Sequence, residues 1–163
     1  KETDIGPVVD QRQLEQDLSY IEVGKSEGAS LFCGGERVAR ETEGNFLTPA
    51  LFIDTHNNMR INQEEIFGPI ASVIKVKNYD EALNIANDTE FGLSAGIVTN
   101  SLKHATHFKR HSQSGIAQVN LPTAGVDYHV PFGGTKSSSY GAREQGQYAK
   151  EFYTTVKTSY TAS

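Results

Sequence analysis

From Asp10 to Glu27 the apolar Leu14, Leu18 and Ile21 and the aromatic Tyr20 recur at three- and four-residue spacing among charged neighbours, and the pattern stops at Gly28. That period predicts an amphipathic helix closed by a residue free to take left-handed backbone. Ala29 to Cys33 reads as a short buried strand closed by Gly34-Gly35, and Phe46 to Ile53 as an extended segment interrupted by Pro49. The polar stretch Glu36 to Asn45 between them reads as a loop or hairpin tip. Beyond Pro69 the alternation becomes regular: strand Ala71 to Val76, helix Tyr79 to Asn87, strand Leu93 to Thr99, helix Leu102 to Gln113, strand Gly115 to Val119. Strands joined by helices of this length predict crossovers and a parallel sheet, hence an α/β fold. Asp80 and Ser101 stand where N-caps are needed to satisfy the first free amides. Asn120 to Val130 has turn residues and no period, placing a loop at a strand's carboxyl end, where open α/β sheets bind ligands. Arg143 to Glu151 reads as a helix. Thr154 to Thr161 reads as a final strand with Val156, Thr158 and Tyr160 on one face, too few apolar groups for a core and better suited to an edge that pairs with a partner.

Composition narrows the class. A chain of 163 residues, 37% hydrophobic and 21% charged, is expected to fold as one globular domain. The net charge of -5, with no Lys/Arg-rich stripe, argues against nucleic acid and anionic membrane as partners. No apolar run approaches the roughly 20 residues that span a bilayer, and the first residues lack a charged-then-apolar leader pattern. Cytoplasmic residence is the expectation. The single cysteine, Cys33, rules out an internal disulfide and a cysteine metal cluster.

Two peptides carry candidate chemistry. In Asn62-Gln63-Glu64-Glu65-Ile66-Phe67-Gly68-Pro69, adjacent carboxylates and an aromatic ring meet a Gly-Pro turn that can hold a side chain rigidly. By composition alone it is either a capped acidic turn or a cofactor-contact loop. Pro131-Phe132-Gly133-Gly134-Thr135-Lys136 invites a phosphate-loop reading, but Thr135 occupies the position where that loop requires glycine.

Taken with Ser137, Ser139, Gly141, Arg143, Glu144 and Gly146, these peptides resemble the NAD(P)-dependent aldehyde dehydrogenase superfamily over about Gly6 to Tyr160. The departure Ser137-Ser138-Ser139-Tyr140-Gly141, with Gln145-Gly146-Gln147-Tyr148 and Ala149-Lys150-Glu151-Phe152-Tyr153, looks most like the branch oxidising 2-oxoglutarate semialdehyde (2,5-dioxopentanoate). The resemblance implies an α/β fold built as a parallel three-layer sheet. Residues 1–153 would be part of the catalytic domain, and 154–163 an oligomerisation strand and tail. It implies NAD or NADP as cofactor, a small aldehyde as substrate and a homo-oligomer. Glu65 would hydrogen-bond the nicotinamide ribose, Phe67 would pack beside the nicotinamide, and Phe132 would line the aldehyde pocket. The family's nucleophilic cysteine follows a Gly-Gln pair upstream of the Glu-Glu motif. Cys33 follows no such pair and has no adjacent base or helix start, so it is not expected to be that nucleophile. The nucleophile, general base, oxyanion donor and dinucleotide-phosphate site are all expected outside these residues, and the chain alone is expected to be inactive and to bind no cofactor. On the same resemblance Thr123, Asp127, Tyr128 and His129 would border the substrate entrance and suit a functionalised aldehyde, or form a merely solvated loop.

Two rivals follow from the residues. A sheet face without its covering layer and an unpaired last strand would make the chain a non-catalytic assembly module. His104, His107 and His111 share one face of a predicted helix at metal-chelating spacing, but Lys103, Lys109 and Arg110 would repel an ion, and a solvated helix face is preferred.

Overall fold

The computed structural model describes residues 4–162; Lys1 to Thr3 and Ser163, the extremes of the two expected segments, lie outside it. Contacts divide the chain into two compact units, Lys1–Lys77 and Asn78–Ser163.

The first unit opens with helix α1, Gln11–Ser26, where the Asp10 side chain accepts from the Gln13 amide at 2.8 Å and Gly28 ends the path at φ +92°. Strands β1 (Ser30–Cys33), β2 (Arg37–Val38), β3 (Phe46–Leu47) and β4 (Ala50–Ile53) follow, then helix α2 (Arg60–Gln63) and strand β5 (Ile70–Ser72). The expected hairpin tip is the antiparallel β2–β3 pair, and Pro49 falls between β3 and β4, where no ladder amide is needed. A second sheet runs β1-β4-β5, antiparallel at β1 and parallel at β5. Its core joins Ile21, Ala29, Ala50, Phe52, Met59, Ile61 and Ile66. Gly24 is required there, because a Cβ would lie 2.9 Å from the Phe52 ring.

Two expectations change in this unit. The strand expected over Ala71 to Val76 ends at Ser72, because Asp54 at φ 56° turns β4 away and leaves no ladder to extend. The strand expected to be buried around Cys33 is an edge: among the described residues β1 pairs only with β4, Phe32 is 67% exposed and Cys33 is exposed.

The second unit holds helix α3 (Tyr79–Asn87), strands β6 (Phe91–Gly92) and β7 (Ser94–Ile97), helix α4 (Leu102–His111), and strands β8 (Ile116–Val119) and β9 (Thr135–Lys136). One turn of 3-10 helix at Gly146–Tyr148 then runs into α5 (Ala149–Tyr153). β7 and β8 are parallel with α4 as their crossover, while β6 and β9 pair antiparallel. Ser101 caps α4 as expected; α3 is capped by Asn78, whose Oδ1 accepts from the Glu81 amide at 2.9 Å, and Asp80 lies inside the first turn.

No helix starts at Arg143. Glu144 exchanges both backbone hydrogen bonds with Phe132, at 2.7 and 2.9 Å, and Gln145 (φ 66°) and Gly146 (φ 54°) leave the right-handed path. The strand expected from Thr154 to Thr161 has no pairing partner among the described residues, and its residues are exposed. The fold is mixed α/β with no closed barrel, and the described strands pair as four small sheets, parallel at β4–β5 and β7–β8.

Candidate functional site

The Glu-Glu peptide leaves α2 with its side chains alternately held and released. Glu64, the helix C-cap, accepts from Arg60 Nε at 2.8 Å, Arg60 Nη2 at 2.9 Å and the Tyr20 hydroxyl at 2.6 Å. The guanidinium lies 5.8 Å from the centre of the Tyr20 ring. The Arg60 fork, then the Tyr20 hydroxyl, stabilise the charged form and pull the Glu64 carboxyl down to about 2. Ile66, two residues on, is buried in the core, and its carbonyl accepts from Gln13 Nε2 at 2.9 Å and Gln16 Nε2 at 3.0 Å.

Between these anchors, Glu65 is exposed, with no side-chain hydrogen bond or ion pair among the described residues. Phe67 follows at φ 59°, 80% exposed, an orientation a non-glycine residue holds only when its neighbours fix it. Pro69 closes the turn, its carbonyl accepting from the Ala50 amide at 2.9 Å. An open cavity of 640 Å³ beside the turn is lined by Ile5, Pro7, Val9, Gln13, Phe67 and Pro69. Of the two presented side chains, Phe67 lines this cavity and Glu65 does not.

Asp17 is the residue the hydrophobic pattern missed. The face of α1 that is buried runs Leu14, Asp17, Ile21 and Gly24, so the carboxyl is wholly enclosed. Oδ1 accepts from Gln13 Nε2 at 2.7 Å, and Oδ2 has no partner among the described residues. Burial pushes its pKa up, partly offset by the Gln13 hydrogen bond. The available signal was its spacing, three residues after Leu14 and four before Ile21.

Phe132 belongs to the second unit, and Glu65 and Phe67 to the first. Phe132 is half-buried, tied by its backbone to Glu144. The glycines after it are buried and braced by side chains: Ser139 Oγ accepts from the Gly134 amide at 2.6 Å, and the Arg143 guanidinium donates to the Gly134 carbonyl. Lys136 Nζ donates to the Asn87 and Thr89 carbonyls at 2.6 and 2.8 Å, so it caps the end of α3 and is not poised for a phosphate. Thr123, Asp127, Tyr128 and His129 are all exposed in the loop before it.

The histidines of α4 stack along a partly solvated face, with His104 and His107 half-buried and His111 exposed. His104 stacks on Tyr79 at 4.3 Å, His107 Nδ1 lies 2.9 Å from the Tyr79 hydroxyl, and His111 stacks on His107 at 3.8 Å. Among the described residues no group of three or more His, Cys, Asp or Glu side chains is disposed to hold a metal ion. The exposed Cys33 thiol has no partner among those residues.

The sequence profile described as the aldehyde dehydrogenase family matches residues 1–159. The chain is 47% identical to the alpha-ketoglutaric semialdehyde dehydrogenase of Bacillus subtilis, over 94% of this chain and 32% of that protein. It is 46% identical to the alpha-ketoglutarate semialdehyde dehydrogenase of Haloferax volcanii, over 96% and 33%. The chain thus spans about a third of the length of the curated relatives it matches. Among solved structures, the indole-3-acetaldehyde dehydrogenase of P. syringae in complex with NAD+ and IAA superposes with a TM-score of 0.88 at 41% identity, covering 95% of this chain and 31% of that one.

Proposed function

This chain belongs to the aldehyde dehydrogenase family, and from that premise we propose that it is part of an enzyme that oxidises an aldehyde to a carboxylate with NAD(P), the aldehyde being 2-oxoglutarate semialdehyde. The observation that carries this reading is the division of labour in the Glu64–Phe67 turn. One carboxylate is tied down by Arg60 and Tyr20, which leaves its neighbour and an aromatic ring free and rigidly presented. The two semialdehyde dehydrogenases at 47% and 46% identity support the choice of substrate.

Bound at this turn, NAD(P) would supply the hydride acceptor. Glu65 would accept hydrogen bonds from ribose hydroxyls and so orient the ring, and Phe67 would pack against the nicotinamide. Phe132 would line the aldehyde pocket, with the exposed Thr123, Asp127, Tyr128 and His129 meeting the polar end of the substrate. Cys33 lies on an edge strand with no base bonded to it, so the nucleophilic cysteine that carries the acyl group as a thioester would come from outside these 163 residues. The chain alone would bind no cofactor and turn over nothing. No helix of the described residues is long and apolar enough to cross a membrane, and cytoplasmic residence is part of the same proposal.

The test is aldehyde-dependent NAD(P)H formation by the native gene product. Glu65→Gln should lower kcat/KM by about 10²-fold, the scale of misplacing a reacting ring. Wild-type rates in that variant, or steady turnover by residues 1–163 alone, would overturn the assignment.

A second reading concerns assembly. Val156 and Tyr160 are 98% and 95% exposed in an unpaired extended segment. That segment would add to a sheet edge of another copy, making the protein a homo-oligomer. A monomeric mass by light scattering at high concentration would remove it.

A further inference from the structure

We propose that Asp17 is a positioning residue for the Glu65–Phe67 turn, its buried carboxyl fixing the Gln13 amide that holds the Ile66 carbonyl and seating the Gly68 backbone. The value of that positioning for cofactor binding rests on the reading above; the geometry does not.

Gln13, Gln16 and Asp17 stand at i, i+3 and i+4, so their side chains meet on one face of α1. The Gln13 amide group bonds both ways, to Asp17 Oδ1 at 2.7 Å and to Ile66 O at 2.9 Å, so the carboxyl sets which way the amide faces. Gln16 adds a second donor to the same carbonyl at 3.0 Å. On the far side of the turn, a Cβ built at Gly68 would run into the Asp17 carboxyl, so the backbone there rests directly on that group. A wholly buried carboxyl with an unpartnered oxygen is an expensive way to fill an apolar stripe, and a leucine would fill it at less cost. What leucine would not do is orient Gln13. The anchors on either side of Ile66, Glu64 before it and Gly68 after it, then explain how Phe67 keeps a left-handed backbone while fully presented.

Hydrogen exchange of the peptide Glu64 to Ile70, measured on the native gene product, tests this without reference to activity. Asp17→Leu should speed its exchange about tenfold, the scale of losing one hydrogen bond, while Asp17→Asn, which keeps the acceptor oxygen, should stay near the wild-type rate. Unchanged exchange in Asp17→Leu, or Asp17→Asn as fast as Asp17→Leu, would overturn the proposal. If Asp17→Leu fails to fold, Gln13→Leu removes the same bridge, and an unchanged turn in that variant has the same force. Where the product forms NAD(P)H, the KM for the nucleotide should rise in the loosened variant with little change in kcat. A product that forms none would sink the cofactor reading and leave exchange to decide the positioning.

Discussion

The two units hold their candidate residues in place by different means. In the first, Glu65 and Phe67 stand on a core in which Ile66 itself takes part. In the second, Leu83 and Phe108 are the only buried apolar side chains of more than nominal size among the described residues, and Phe132 sits on a segment braced by Ser138, Ser139, Arg143 and Lys136 bonding to backbone. Val98, Leu102 and Leu121 stay exposed there, at 90%, 81% and 65%. A parallel pair such as β7–β8 is normally covered on both faces. The lesson is that a turn anchored by burial can be rigid by itself, whereas a hydrogen-bonded segment keeps each brace at about 1 kcal/mol and loses them one at a time.

Substitutions in both units press on that contrast. Phe52→Ala should cost the first unit about 3–5 kcal/mol, as removal of a fully buried ring does, measured by urea unfolding; a small loss would mean the core does not carry the turn. Gly68→Ala drives a methyl into the Asp17 carboxyl and should cost about 1–3 kcal/mol, with part of the loss recovered when Asp17→Ala is added. Ser139→Ala in the second unit should cost about 1 kcal/mol, leaving Gly134 short of a partner; a loss rivalling that of Phe52→Ala would erase the distinction between the units.

The smallest effect is electrostatic. The Glu64 carboxyl is held at about 2 in the folded protein, below the ordinary glutamate range that applies when unfolded. Its contribution is therefore fully present above that range and lost as pH falls through it toward about 2. The stability difference between wild type and Glu64→Gln should shrink over that interval; a difference constant with pH would show that the Arg60–Glu64–Tyr20 contact adds nothing to folding. Asp17 runs the opposite way. Its raised pKa favours the protonated form in the fold, so Asp17→Asn should gain stability at neutral pH and lose the gain in acid.

Local signals were enough for much of this molecule. The period of α1, its Asp10 start and Gly28 stop, the extent of α3 and the Ser101 cap on α4 follow from side-chain spacing and the demand of free helix amides for acceptors. Both peptides that mark the family were legible for the same reason: Gly, Pro and paired carboxylates constrain a few consecutive residues. What tertiary structure alone decided involves residues distant in sequence. Glu64 is held first by Arg60, four residues before it, and the contact that only tertiary structure adds is the Tyr20 hydroxyl, forty-four positions away. The burial of Asp17 depends on the Gly68 turn, and Glu144 becomes a bridge partner, not a helix residue, because Phe132 offers it two backbone hydrogen bonds. The last segment remains unpaired because a strand exists only where another backbone supplies its ladder, and among the described residues none does. Periodicity reports what one stretch of chain prefers; burial and pairing are set by what comes to lie against it.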